Sequence, residues 1–338
     1  MLRLTFLGTS SGLPTRWRNV SALAVQVPLA GPGWYLVDCG EGTQQQLLRT
    51  PLALRDLAGV CISHVHGDHC LGLPGLLASA GMHGRSQPLM LVAPLPVWQW
   101  WQATQQCTGT HLPYPVHFIP VESLRAQSLD LPSASGQAQA HVQTYVQLRL
   151  STHAQRHRVP SHAFRFDLHQ QLRQIDAPAL RAAGLPPGPA WGQLQAGQDV
   201  RHADRTLRSA DFVRTHTRRL AAVMGGDNAD ARVLRAACQG AALLVHEATY
   251  SRAALDKVGP AYMHSAAHDV AAFAQSAGLP GLILTHFSAR HHSDAQQALL
   301  MQEVQAAYQG AAFLARDFDV FTLDFDGALR HIPSGAHA

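Results

Sequence analysis

The chain has 338 residues, 46% of them apolar and only 14% charged, with a formal net charge of +4. An apolar share of that size supplies a sizeable core and excludes a disordered chain. The five cysteines (Cys39, Cys61, Cys70, Cys107, Cys238) are odd in number and have no CxxC pair, which excludes a disulfide scaffold and suits a reducing compartment. The segments "LRLTFLG" (2–8), "SALAVQV" (21–27) and "GWYLVDCG" (33–40) alternate or run apolar between glycines and prolines, and are expected as strands. "TQQQLLR" reads as helix, "GVCIS" (59–63) as a short buried strand, and "LPGLLASAG" (73–81) as a helix with Pro74 in its first turn. "PLMLVAP" (88–94) is a strand and "PVWQWWQATQQC" (96–107) a helix.

From Asp167 to about Thr206 the chain is rich in Ala, Gln, Pro and Arg, with apolar residues too few for a core. It is a linker or a projecting arm. The stiff "PPGP" and Trp191 favour the arm. Strands then return at "LAAVMGGD" (220–227), "AALLVHEA" (241–248) and "LILTHF" (282–287). Helices are expected over 268–278 and 293–310, the latter capped by Ser293. Apolar strands that end in polar residues suggest an α/β sheet with its site along one rim.

The strand at 59–63 delivers "HVHGDH": His64, His66, Asp68 and His69. Alternation puts His64 and His66 on one side, Gly67 permits a turn, and Asp68 and His69 can face the same point. Imidazole and carboxylate at this spacing are ligands for a borderline cation such as zinc. His83, His111, His117, His141, His291 and His292 read as ordinary solvated histidines. This motif cannot close two metal sites alone. Candidates for the rest are His153, His157 and His162, then Asp227, His246, Glu247 and His286. Two zincs bridged by a carboxylate and a hydroxide suit phosphate-ester hydrolysis, with manganese or cobalt as possible replacements. The basic excess is almost all arginine, Lys257 being the sole lysine, and arginine forks onto phosphate oxygens.

"FLGTSSGLPTRWRNVSAL", "LVDCGEGTQQQ", "ISHVHGDHCLGLPGLL", "HRVPSHAFRF", "GLPPGPAWGQLQAG", "LLVHEATY", "HSAA" and "LTHFSAR" together resemble ribonuclease Z, a tRNA 3′-processing endonuclease family of the metallo-β-lactamase superfamily. The resemblance runs from Leu4 to about Asp319. It implies a four-layer αββα sandwich with a dinuclear metal site at one rim of the sheets. It further implies a catalytic domain over 1–332, an inserted flexible arm over 168–198 acting as a tRNA-binding exosite, and a disordered tail over 333–338. By matching motif, one zinc takes His64, His66 and His157, the other Asp68, His69 and His286, and Asp227 bridges them. Asp68 helps activate water, His264 protonates the leaving oxygen, and Glu247 orients His264. Arg16, Arg18 and Asn19 of "PTRWRN" would lie near the cleaved end of the substrate, with Arg16 standing where lysine is usual. Arg173, Arg181 and Trp191 would serve the arm, which carries no lysine and looks less basic than usual.

The activity implied is hydrolysis of precursor tRNA, leaving a 3′-hydroxyl on the tRNA and a 5′-phosphate on the trailer. Recognition would be of shape and backbone, since A-form grooves hide base edges. A homodimer is implied, each arm serving the partner's site. The alternative is a zinc phosphodiesterase or 3′-exoribonuclease on the same site. A non-catalytic RNA-binding module is a further rival, and it has no need of the ligand set. No apolar run reaches the roughly 18 residues of a membrane span, and the N-terminal run is too short for a signal peptide, so a cytoplasmic protein is expected.

Overall fold

The computed structural model describes residues 1–125, 127–131 and 142–333, with 142 and 143 as backbone only. The first half lays down β1 (Leu2–Gly8), β2 (Ala22–Gln26), β3 (Trp34–Val37), α1 (Thr43–Leu47), β4 (Leu57–Cys61), α2 (Gly67–Cys70), α3 (Leu73–Met82), β5 (Leu89–Ala93), α4 (Leu95–Thr108) and β6 (Val116–Pro120). There follow β7 (Leu129–Leu131), β8 (Val142–Gln155), β9 (Ser161–Ile175), α5 (Ala177–Ala182), α6 (Pro189–Gln195), β10 (Val200–His202), β11 (Arg205–Leu207), α7 (Ser209–Phe212) and β12 (Val213–Met224). The last part comprises β13 (Leu243–Glu247), α8 (Arg252–Val258), α9 (Ala267–Ser276), β14 (Gly281–Thr285), α10 (Asp294–Ala307), β15 (Ala311–Leu314), β16 (Val320–Leu323) and β17 (Leu329–Ile332).

Two large sheets result, ordered β17-β16-β1-β2-β3-β4-β5-β6 and β15-β14-β13-β12-β9-β8-β7. The two-residue period of a strand sends alternate side chains to opposite faces. Thus Tyr35 and Val37 of β3 join Leu220, Ala222 and Met224 of β12 in a core between the sheets. Trp34 and Leu36 face outward to Leu73, Leu76 and Leu77 of α3 and Trp101 of α4. Ala221 and Val223 face Val270 and Phe273 of α9 and Leu300 of α10. This is the expected αββα layering. No helix among the described residues is long and apolar enough to cross a membrane.

The stretch from Asp167 to about Thr206, expected to have too few apolar residues for a core, is built differently. Residues 168–175 continue β9, paired with β8 on one side and β12 on the other, out to Ile175 opposite Val213. Beyond this three-stranded stem, residues 176–212 fold into a cap with its own small core of Ile175, Leu180, Leu185, Trp191, Leu194, Val200 and Leu207. These residues are too widely spaced to show a helical or strand period, yet they converge in space. Residues 334–338, most of the expected tail, lie outside the described residues, as does His141.

Candidate metal centre

The candidate ligands collect where parallel strands end. Chain leaving β4 supplies His64, His66, Asp68 and His69, and chain leaving β12 supplies Asp227. His286 follows β14, and His157 comes from the β8–β9 turn. The two sheets therefore contribute from opposite sides of one rim. Gly226 lets the two sides close, because a Cβ there would lie 2.6 Å from Ser63 Cβ.

Asp227 sits between two sets of nitrogens. Its Oδ2 faces His64 Nε2 at 3.6 Å and His157 Nε2 at 3.7 Å, and both nitrogens lie 3.1 Å from His66 Nδ1. Its Oδ1 lies 3.2 Å from His69 Nε2 and from His286 Nε2. Asp68 Oδ2 completes that second set, 3.5 Å from His69 and 3.3 Å from His286. A tetrahedral zinc with bonds of about 2.0–2.1 Å holds its ligand atoms about 3.3–3.4 Å apart, so both sets have the spacing of a coordination shell.

The outer hydrogen bonds fix which nitrogen faces inward. Asp38 Oδ2 accepts from Ser63 Oγ at 2.9 Å, which leaves that hydroxyl to accept from His64 Nδ1 at 2.9 Å. His69 Nδ1 donates to Asp38 Oδ2 at 2.7 Å, and His157 Nδ1 to the Met263 carbonyl at 3.0 Å. Thr249 Oγ1 donates to Glu247 at 2.6 Å and so accepts from His286 Nδ1 at 3.0 Å. With Nδ1 protonated in all four, their Nε2 lone pairs converge, and no proton remains to separate them. Asp227 Oδ1 is buried and has no hydrogen-bond partner among the described residues. Imidazole lone pairs aimed at the same points as a buried carboxylate oxygen that lacks a donor are what a bound cation satisfies.

Burial favours the ligating form at three of the histidines. Burial pushes His64, His66 and His157 down, keeping them in the neutral form that ligates metal. Burial would also lower His69, but the carboxylates of Asp227, Asp68 and Asp38 raise it. Burial would raise Asp227, but His286, His69 and His64 hold it well below the usual carboxylate range. Three of the supporting residues occupy the left-handed region unusual for non-glycine residues: Asp38 (φ 60°), Met263 (φ 55°) and His286 (φ 59°). Strain of this kind gathers at sites that surrounding structure over-determines.

His264 stands beside the cluster, its Nδ1 2.9 Å from Glu247 Oε1 and 3.8 Å from Asp227 Oδ2. Burial would lower its pKa, but the Glu247 carboxylate overrides that and raises it to about 9. Glu247 is itself held by donors from the Asn228 and Thr249 backbones and the Thr249 hydroxyl. Of the other histidines considered, His246 turns away to Asn228 and the Glu247 carbonyl, His162 contacts Arg125, and His153 contacts Ser151. His291, expected on the solvated surface, is buried against the Ser251 backbone. Asp38 and Thr249 carry no assignment from sequence. Their only signal is their place within the "LVDCG" and "HEAT" stretches.

Two residues expected at the substrate are turned inward. Arg18 is buried, its guanidinium donating to Thr9 Oγ1 and the Ala315 carbonyl at 2.6 Å, because it fastens the 11–19 loop to the sheet rim. Trp191 is buried in the cap core, where its indole donates to the Leu185 carbonyl. Asn19 also braces the loop, to Asp317 and Glu41. Arg16 and Arg181 are exposed and Arg173 half-buried. The structure adds positive charge that a count over 168–198 omits. Arg201, Arg205 and Arg208 are exposed on the cap, and Arg214, Arg218 and Arg219 on the β12 side of its stem.

A family model described as Anti-Pycsar protein Apyc1 matches residues 2–167, ending within β9 before the cap. Ribonuclease Z of Pseudomonas putida (strain GB-1) is 43% identical over 333 residues, covering 97% of this chain and 99% of that one. Among solved structures, human tRNase Z, short form, superposes with a TM-score of 0.58 at 25% identity, covering 95% of this chain and 98% of that one. The metallo-beta-lactamase fold protein YhfI of Bacillus subtilis gives 0.61 at 18% identity, covering 94% and 98%, a likeness of fold.

Proposed function

The chain belongs to the ribonuclease Z family, and on that premise we propose that it removes the 3′ trailer of precursor tRNA by hydrolysing one phosphodiester bond. The observation that carries this reading is a family match that runs through the ligand cluster, the Glu247–His264 pair and the cap alike. His64, His66 and His157 would hold one zinc, Asp68, His69 and His286 a second, and Asp227 both. Bound there, two zinc ions would acidify water and offset charge on the attacking and leaving oxygens.

The protein's own groups do the rest. Asp68, whose Oδ2 accepts from the Gly12 N–H at 2.7 Å, orients the attacking water. His264 keeps Nδ1 on Glu247, so its Nε2–H is free to protonate the departing 3′-oxygen. The P–O3′ bond breaks, leaving a 3′-hydroxyl on the tRNA and a 5′-phosphate on the trailer. Arg16 sits on the loop that Gly12 ties to Asp68, in reach of substrate near the cut. Arg173 and Arg181, with the further cap and stem arginines, hold the tRNA body. We extend the reading to a cytoplasmic homodimer in which each cap serves its partner's site.

End-labelled precursor tRNA, mapped at nucleotide resolution, tests the activity. One cut next to the discriminator is expected. A ladder of products shortening by single nucleotides would favour the 3′-exoribonuclease instead, and an uncut substrate would refute both. Metal analysis of purified protein should give two zinc ions per chain, and a content of one or none would sink the dinuclear assignment. Replacing Asp38 with alanine removes the partner of His69 and should weaken zinc retention about 10–100-fold, read by competition with a chromogenic chelator. Unchanged retention would show that Asp38 does not position the ligand.

A further inference from the structure

A cleft of about 610 Å³, lined by Ser251, Lys257, Val258, Tyr262 and Arg290 among others, contains the residue two before His264. That volume is within the roughly 300–1,000 Å³ of small-ligand pockets. Its chemistry is distinctive. Lys257 is the only lysine of the chain. Among the described residues, neither Lys257 nor Arg290 pairs with a carboxylate. Asp256 and Asp269, the acidic groups of α8 and α9, are engaged by Arg252 at 3.0 and 2.9 Å. Two cations without a carboxylate partner thus line the same cleft as Tyr262, which is 52% exposed.

Tyr262 is also tied to the reacting region. It precedes Met263, whose carbonyl accepts from His157, and His264 follows. Arg158, the residue after His157, lies over the tyrosine ring at 5.8 Å. The ring thus has Arg158 over one face, while its exposure leaves it open to a ligand. Aromatic rings between cations are the usual platform for single-stranded nucleic acid, the base stacking and the phosphate meeting the charge.

We propose that this cleft seats the nucleotide whose 3′-oxygen departs, its base stacked on Tyr262 and the phosphate on its 5′ side between Lys257 and Arg290. The assignment to that nucleotide rests on the reading above, in which His264, two residues from Tyr262, protonates that oxygen. The seat accepts any base, because stacking uses the face common to all four.

The test is a cycle between enzyme and substrate. With the zinc-loaded protein, an abasic ribose at that nucleotide should lower kcat/KM for precursor tRNA roughly tenfold. Tyr262→Ala should cause the same loss on the normal substrate, and the abasic change should then add nothing. Tyr262→Phe keeps the ring and should keep the rate. Lys257→Gln combined with Arg290→Gln should flatten the dependence of kcat/KM on salt. The proposal is overturned if the intact protein ignores the abasic change, or if the two losses multiply. If the intact protein cuts no precursor tRNA, the functional reading fails by itself. The cleft is then judged by fluorescence anisotropy with a short single-stranded RNA. Weaker binding by Tyr262→Ala supports it, and equal binding by the two proteins overturns it.

Discussion

Replacing His264 with alanine is expected to slow precursor tRNA cleavage by about 10²–10⁴-fold, the usual span for losing a positioned general acid. The loss should shrink as the leaving group becomes more acidic. A ribose 3′-alkoxide is a poor leaving group and needs the proton as the bond breaks, whereas a nitrophenolate departs as a stable anion. The physical basis is the pairing with Glu247, which raises the imidazole to about 9 against the effect of burial and keeps the proton available at neutral pH. The measurement is a series of phosphodiesters with leaving groups of falling basicity, compared between the intact protein and the variant at equal zinc content. A loss of the same size throughout the series would assign His264 to holding the centre together rather than to proton delivery.

The second large effect concerns the cap. Ile175 and Val213 face each other across β9 and β12, so residues 176–212 can be excised and the strands joined by a two-residue Asn-Gly turn. The cap core leaves as a unit, apart from Ile175, which is best replaced by threonine to avoid an exposed apolar side chain. None of the candidate ligands lies in the excised segment, so hydrolysis of a small chromogenic phosphodiester should survive. Cleavage of precursor tRNA should fall by orders of magnitude, because remote phosphate contacts supply the binding energy that positions the scissile bond. The remaining activity should also respond less steeply to salt. Undiminished tRNA cleavage at physiological salt would contradict the role, as would parallel loss of both activities in a folded, zinc-loaded protein.

Most of the candidate ligand set was legible because His64 to His69, Asp227 and His286 follow short apolar runs, where a polar residue stands out, whereas His157 lies in the β8–β9 turn and was singled out only by the resemblance of its stretch. The layered fold was legible for the same reason: β1 to β5, β13, β14 and the last residues of β12 lie on the core. The stem was not. In β8 and β9 the two-residue period is visible only where the strands cover the core, at Leu148, Leu150, Phe164, Phe166 and Leu168. It fades toward Gln171 and Gln174, where the strands leave the sandwich and both faces meet water. Asp38 was silent for another reason. Its partner His69 is 31 residues away, and only the adjacency of β3 and β4 brings them together.

The pairing of β1 with β16, Leu2 opposite Leu323, has a consequence for synthesis. The first strand emerges from the ribosome early but lacks one neighbour until almost the whole chain has been made. The ligands are likewise divided between early and late sequence, from His64 to His286, so a nascent chain carries four of them long before the last arrives. Metal capture by the whole candidate set would therefore have to wait until His286 has been made, and a chain stopped before it would be a partial chelator without a closed site. A centre closed by His286 would thus form only after both sheets have been made, late in synthesis rather than during it.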